Sequence, residues 1–403
     1  MLKLAFRNVF RQKLRTALTL AAIISGVVAL VLSGGFIEDS LIRLRESTIR
    51  SQLGHVQIYK AGFYAHGAQA PYRYMIDKPA EVLGIVQMIP EVKQAAQRLS
   101  FTALLNNGHA DVPVLCFGLE PEKERLSDST TTITAGRELR DSDRYGILLG
   151  EGVAAASKLK PGDHAALLTN TAEGALNTID MDVIGVFRSF SNDYDARAVR
   201  ILLPSAQELL DVKAINAIVL SLDATRSTNA VAAYLKKRLD NSAYEVKTWY
   251  QLADFYGKTA ALYKRQFVVL QAVVLIAILL GVISSVNMTI FERTGEFGTM
   301  MALGDRGGKI LRLVVVENVL LGLIGGVGGA LLGVALAWGV SLLGIPMPPP
   351  PNSSVGYVAE IRVTPSIVAL SSLVGFVATV AASVWPALRI VRLPIVDALG
   401  ENH

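Results

Sequence analysis

The part of this 403-residue sequence nearest to a phosphate-binding loop is Gly304-Asp-Arg-Gly-Gly-Lys-Ile310. Such a loop needs glycine N–H groups around the phosphates, a lysine, and a Ser or Thr hydroxyl for Mg²⁺ directly after it. Here the spacing before Gly-Lys is one residue short, and Ile310 stands where the hydroxyl belongs. The loop is therefore not expected to bind ATP. The histidines, His55, His66, His109, His164 and His403, are scattered, with no H-x-x-x-H pair and no carboxylate at ligand spacing, which argues against a zinc or hydrolytic centre. The lone cysteine, Cys116, excludes an internal disulfide and reads as a small apolar strand residue. Residues 127–132 are rich in hydroxyls but carry no nucleophile motif.

What remains is docking chemistry. Glu292, Arg293 and Glu296 surround Phe297, Met300, Met301 and Leu303, while Gly295, Gly298 and Gly304 permit a tight polar helix-turn. The expectation is an apolar face for a partner's groove with charges at its rim. The alternative is an exposed loop whose apolar side chains rest on a membrane surface.

The elements that hold this turn are long and apolar. Residues 266–290 contain no charge and are long enough to cross a hydrocarbon core of ~30 Å as a helix. A second such run, 313–343, follows the turn at 291–312, and further runs lie at 16–36 and 365–386. Overall 51% of residues are hydrophobic and mean hydropathy is +0.41, while 18% are charged against ~25% in soluble domains. The chain is thus expected to be a four-helix membrane protein. Residues 1–15 carry Lys3, Arg7, Arg11, Lys13 and Arg15 without an acid and read as an amphipathic foot on the inner leaflet. The apolar run after it exceeds a signal-peptide core and no cleavage site follows, so a retained first span is expected. The positive-inside rule, with Arg389 and Arg392 in the tail at 387–403, places both termini in the cytoplasm. No nucleic-acid motif accompanies the basic segment.

In the third span Gly325, Gly329 and Gly333 share one face, and Gly322, Gly326 and Ala330 the next. Ser371, Gly375, Thr379 and Ser383 form a small face on the fourth. Both predict close helix packing. Glu317 and Asn318, one turn inside Arg312, either snorkel or pair with Arg389 or Arg392. The proline run within the loop at 344–364 cannot be helical.

Between the first two spans, residues 37–265 form a large water-exposed α+β insert of two lobes, with stalk helices at 38–52 and 249–265. Strands at 55–59, 92–105 and 112–119 accompany a helix at 79–89; strands at 217–222 and 244–248 flank a helix at 227–239. These suggest one layered lobe. Between them, segments at 146–150 and 181–187, with a helix at 151–159, suggest a separate β-rich lobe.

Glu292-Arg293-Thr294, Glu296, Gly298 and Ala302-Leu303-Gly304, followed by Glu317, resemble the coupling turn of FtsX/MacB-type ABC transporter permeases. Met301 departs from that pattern, which usually has a basic residue there. The N-terminal Arg-Asn and Arg-Thr pattern resembles the same family; the tail does so loosely, with Ile390 where a small residue is usual. In the insert, Gly136-Arg-Glu-Leu139, Pro161-Gly-Asp163, Gly185-Val-Phe187 and Leu203-Pro-Ser-Ala206 are similar to the lipoprotein-releasing LolC/LolE branch. That branch can have a long chaperone-docking loop before the Gly-Val-Phe strand. Here residues 168–180 read as a short polar loop, which argues against such docking.

The resemblance implies a permease that is not itself an enzyme. It implies a dimer with a second permease copy or paralogue, and a separate ABC ATPase that holds ATP and Mg²⁺, so no cofactor is expected in this chain. The coupling residues it implies are Glu292, Arg293, Glu296, Phe297, Gly298, Met301, Leu303 and Gly304. An inner-membrane protein acting on a lipid-anchored substrate such as a lipoprotein is expected first. Efflux of small molecules or peptides, or control of an extracytoplasmic hydrolase, are the alternatives.

Overall fold

The computed structural model describes residues 6–7, 11, 13–67, 70–125, 131–349 and 356–390. Much of the amphipathic foot, most of the hydroxyl-rich loop, and the tail with Arg392 lie outside these residues. The chain divides into a helical unit (residues 1–42, 259–347 and 358–403) and an α/β unit (43–258 with 348–357).

Among the described residues, four helices are long and apolar enough to cross a membrane. They are α1 (Lys13–Thr48), α2 (Asp254–Glu292), α4 (Gly307–Leu343) and α5 (Pro365–Ile390); the short α3 (Thr294–Ala302) lies between α2 and α4. The helices outrun the apolar runs that predict them, because polar residues such as 254–265 continue the same helical backbone.

The glycine rows set the packing of the helical unit. A Cβ on Gly325 would stand 2.6 Å from Ile23 Cγ2, one on Gly329 2.6 Å from Val27 Cβ, and one on Gly333 3.1 Å from Val31 Cβ. Ile23, Val27 and Val31 recur every fourth residue along α1, so each branched side chain sits on one glycine of α4. Gly375 of α5 receives Val27 from the other side, with a Cβ position 2.5 Å from Val27 Cγ2. The second row faces α5: Gly322 lies against Phe376 and Thr379, and Gly326 against Ser372. Ser371, Thr379 and Ser383 are buried, and Thr379 satisfies its hydroxyl on the Gly375 carbonyl at 2.8 Å.

The α/β unit is built from strands β1 (Val56–Lys60), β2 (Val92–Asn106), β3 (Asp111–Leu119), β4 (Thr132–Gly136), β5 (Gly146–Gly150), β6 (His164–Asn170), β7 (Leu176–Arg188), β8 (Ala198–Leu202), β9 (Ala217–Leu222) and β10 (Tyr244–Thr248). The order β10-β1-β9-β2, all antiparallel and with helices Pro79–Val86 and Thr228–Arg238 as the connections, is a split β-α-β arrangement. The second group closes on itself: β2 pairs β3, then β8, β5, β7 and β6 follow, and β6 returns to β2. Closure removes free edges from that ring. No linker separates the two lobes. The first half of β2 pairs with β9 and the second half with β3 and β6, so one 15-residue strand belongs to both.

Residues 168–180, expected as a loop, are instead the end of a β6–β7 hairpin. Thr171 N–H donates to the Ala175 carbonyl, and Gly174 turns the chain at φ +89°. The polar sequence reflects a hairpin tip exposed to water, which conceals the strand period. The strand at 112–119, expected in the layered lobe, is β3 of the ring, because it pairs with the second half of β2 and with β8; β8, also unforeseen, is buried and runs parallel to it.

At the start of β1, His55 is buried and linked on both ring nitrogens. Leu222 N–H donates to Nδ1 at 3.1 Å, so Nε2 carries the proton and faces Thr225 Oγ1, which in turn donates to Glu46 of α1 at 2.9 Å. Burial holds its pKa below the ordinary 6.5, against the pull of Glu46.

The row of glycines yields a test. Gly329→Leu should drive α4 away from Val27 and lower the thermal midpoint of the detergent-solubilised protein, since overpacking costs about 1–3 kcal/mol. Limited proteolysis should still find the α/β unit folded. A wild-type midpoint would show that the spacing is incidental.

Candidate functional site

The turn expected at 291–312 is helical. α3 follows Arg293 as N-cap and ends at Ala302 with Leu303 as C-cap; Gly304, at a φ of +98°, then starts the reversal. Gly304 N–H donates to the Met301 carbonyl and Asp305 N–H to that of Met300, the double closure that a left-handed glycine permits. The structure thus gives Gly304 the task of stopping α3. α4 restarts at Gly307, with Lys309 Nζ on Asp305 at 2.6 Å.

Arg293 is the centre of the site. Its Nη1 donates to both oxygens of Glu317 on α4, at 3.1 and 3.2 Å, and its Nε to Glu296 at 3.0 Å. Its guanidinium also lies 5.0 Å from the centroid of the Phe297 ring. The side chains of Arg293 and Glu317 are 12% and 9% exposed, so neither charge is well hydrated and each depends on the other. Glu317 therefore does not snorkel: Arg293 pairs with it, while the tail side chains of Arg389 and Arg392 lie outside the described residues. The planar fork explains why arginine stands here, since it can bond two carboxylates and cover a ring at once.

Two further ion pairs come from α1 and its approach. Arg15 reaches Glu292 at 3.0 Å, and Arg11 reaches Glu296 at 3.1 Å with more solvent around it. Behind them Thr19 Oγ1 and Ser285 Oγ lie 2.6 Å apart, joining α1 to α2. Asn318 donates to the Val314 carbonyl at 2.9 Å. A polar cavity of about 40 Å³ lies among Thr19, Ser285, Arg293, Glu317 and Asn318. The basic residues and the acids are each visible in the sequence, but nothing in it says that Arg15 and Glu292, 277 positions apart, are neighbours.

The expected apolar docking face is only partly present. Phe297 is 1% exposed and Gly298 is buried; both lie inside the helical unit, with Phe297 in the cluster that includes Val286, Ile310 and Val314. Met300 and Met301 are half-buried against the same cluster. The reason is helical periodicity: 297, 300 and 301 share one face, and that face meets the bundle. Leu303, 85% exposed, is the apolar residue left outside, beside Thr299 and the half-exposed Glu296. Among the described residues no group of His, Cys, Asp and Glu could hold a metal ion.

Phe297 and Leu303 should therefore behave oppositely. Phe297→Ala empties a packed site, a change worth about 3–5 kcal/mol, and should lower the thermal midpoint clearly. Leu303→Ala should leave it within about 1 °C, as exposed substitutions do. Equal midpoints for the two variants would contradict this division, and scanning calorimetry in detergent reads it directly.

The sequence matches the profile of the FtsX-like permease C-terminal region over residues 268–395. It matches that of the MacB-like periplasmic core domain over residues 16–238. Among similar proteins, the macrolide export ATP-binding/permease protein MacB of Nitrobacter winogradskyi is 28% identical over 416 residues, covering 99% of this chain and 60% of that protein. The lipoprotein-releasing system transmembrane protein LolC of Neisseria meningitidis is 23% identical over 402 residues, covering 95% of this chain and 93% of that protein. An uncharacterized ABC transporter permease of Methanocaldococcus jannaschii is 26% identical over 223 residues, covering 53% of this chain and 54% of that protein. The chain thus spans 54% of the archaeal permease and 60% of MacB. The crystal structure of the periplasmic region of MacB from Actinobacillus actinomycetemcomitans aligns with 52% of this chain and 94% of its own, at 12% identity and a TM-score of 0.37. With the periplasmic-core profile alone matching more than half of the sequence and the permease profile covering the helices that hold Arg293, this chain belongs to the FtsX/MacB-type ABC transporter permeases.

Proposed function

We propose that this chain transmits the closure of an ABC ATPase, which holds ATP and Mg²⁺, to its α/β unit, and that the work extracts or exports a lipid-anchored substrate such as a lipoprotein. The observation that carries the coupling is α3: a short helix tied through Arg293 to Glu317 of α4, with Glu296, Thr299 and Leu303 outward. A force applied to that outer face is delivered to α4 through a nearly buried ion pair rather than through a flexible loop. Residues of α1 and α2 fall in both units, and these helices are the proposed transmission rods.

In this reading α3 faces the cytoplasm, as do both termini, the α/β unit lies outside the inner membrane, and the permease acts as a dimer. The lipid-anchored cargo is favoured by the similarity to LolC, which extends over nearly the whole of both chains. The similarity to MacB, named for macrolide export, supports the second reading, efflux of a small molecule.

The test is copurification in mild detergent, mass spectrometry of bound protein and lipid, and ATPase assay of the complex. The expected result is a bound ABC ATPase whose turnover rises with a lipidated peptide. Leu303→Glu should weaken recovery of that ATPase about tenfold or more, since a charge in a partner's apolar pocket costs over 1 kcal/mol. Stimulation by a macrolide but not by the lipidated peptide would favour the second reading. Full recovery and stimulation in the Leu303 variant would remove α3 as the transmission point.

A further inference from the structure

The last residues of α1 are joined to β9 through the imidazole of His55. After Thr48 the helix widens into one π turn, Ile49–Leu53, closed by Gly54 N–H on the Ile49 carbonyl at 2.7 Å. Such turns are rare and gather at functional sites. Gly54, at φ +62°, then redirects the chain where a side chain has no room, since a Cβ there would stand 2.5 Å from Val219 Cγ1. The backbone of His55 is fixed on both sides. Its N–H donates to the Leu220 carbonyl at 2.8 Å, and its carbonyl accepts from Trp249 N–H at 3.0 Å. What is left to move is the ring.

That ring is 6% exposed and has one tautomer compatible with its contacts. Leu222 N–H occupies the lone pair of Nδ1 at 3.1 Å, so the proton of the neutral ring is on Nε2, toward Thr225 Oγ1. Thr225 in turn donates to Glu46 at 2.9 Å, and the bonds run one way from the Leu222 amide to the Glu46 carboxylate. A second proton on the ring has one place to go, Nδ1, where two N–H groups would then face each other. Protonation and the Leu222 bond exclude each other. The charges that act on the ring come from the end of α1 and the turn after it: Glu46 favours the proton, while Arg50 and Arg45 oppose it. Glu46 also pairs with Arg45 at 3.2 Å and with Arg50 at 3.5 Å. From β9 and the turn beyond it come the uncharged Leu222 amide and Thr225 hydroxyl, while Asp223 and Arg226 there are exposed. The segment after β10 meets His55 through the Trp249 backbone.

We propose that His55 is an acid-operated release between the end of α1 and β9. A proton from solvent adds to Nδ1, the ring lets go of the Leu222 amide, and its two N–H groups turn toward Glu46, taking that carboxylate from Thr225. Burial holds the bonded ring below its ordinary pKa of 6.5, whereas a released ring titrates near that value. The link is therefore whole above about pH 6.5 and weakens as pH falls below it. The switch rests on this geometry alone; its bearing on force carried by α1 rests on the transmission proposed above.

The experiment is hydrogen exchange of the full-length permease in detergent between pH 7.5 and 5.5, resolved to single amides and corrected for the intrinsic pH dependence of exchange. No ATPase is present, so failure of the transmission reading leaves the result untouched. The open fraction at the Leu222 amide should rise severalfold across that range, at most about tenfold, while that of Leu149 in β5 stays within about twofold. His55→Asn keeps an oxygen acceptor near the place of Nδ1 and has no ring to titrate, so its Leu222 protection should be flat with pH. Where that variant does not fold, Glu46→Gln tests the same point: removing the acid that favours the proton should move the loss at Leu222 to lower pH. A wild-type Leu222 amide indifferent to pH, an equal loss at Leu149, a wild-type response in His55→Asn, or an unchanged onset in Glu46→Gln overturns the proposal.

Discussion

A charge held between apolar helices must be paired, and Arg293 with Glu317 is where this protein meets that requirement. An unpartnered guanidinium or carboxylate at this position would cost several kcal/mol, so the two side chains define where α3 can lie against α4. Everything else at this end follows from that fixed point. Phe297 tucks under the guanidinium, Glu296 is drawn to its Nε, and Glu292 is left to meet Arg15 of α1. The pair need not add net stability to determine geometry, because breaking it is far costlier than a comparison with an apolar pair suggests.

The middle of the helical unit is held by the opposite means. There are no charges there, and lipid offers no hydrophobic drive for helices to associate. Contact has to come from shape, and the Ile23, Val27 and Val31 series on Gly325, Gly329 and Gly333 supplies it. Branched side chains are stiff, so little rotamer freedom is lost when they settle on bare backbone. A polar clamp at one end and an apolar ladder through the middle tie α1, α4 and α5 together, and in the proposed mechanism they would respond as a unit to a force on α3. This is the physical basis for proposing that a short helix with one outward face acts as a lever.

How much of this is legible in the sequence varies with the range of the interaction. The spans, the glycine faces and the split β-α-β pattern follow from local periodicity, and the structure adds only which helix each glycine row meets. The ring of strands beyond β2 does not follow, because β6, β7 and β8 are joined by pairings that no local pattern encodes, and the polar hairpin tip hides their period. The site divides in the same way. Its charged residues stand out by type, and Gly304 by its position after Ala-Leu. That Phe297 points inward and Leu303 outward depends on which face of α3 the bundle occupies, a tertiary fact. Read as sequence, Glu317 has candidate partners in the basic tail; that Arg293, 24 positions earlier, is also brought to it by the reversal at Gly304 is not legible there.

The most direct measurement is a double-mutant cycle on Arg293→Gln and Glu317→Gln, with unfolding free energy in mixed detergent and ATPase stimulation of the complex as parallel readouts. Each single variant should lose both stability and stimulation, because each leaves a nearly buried charge without its main partner. The double variant should lose less stability than the two singles together, with a coupling free energy of about 1–3 kcal/mol, while stimulation remains lost. Additive stability losses, or a double variant whose ATPase still responds to substrate as the wild type does, would contradict the claim that this ion pair makes α3 and α4 one mechanical element.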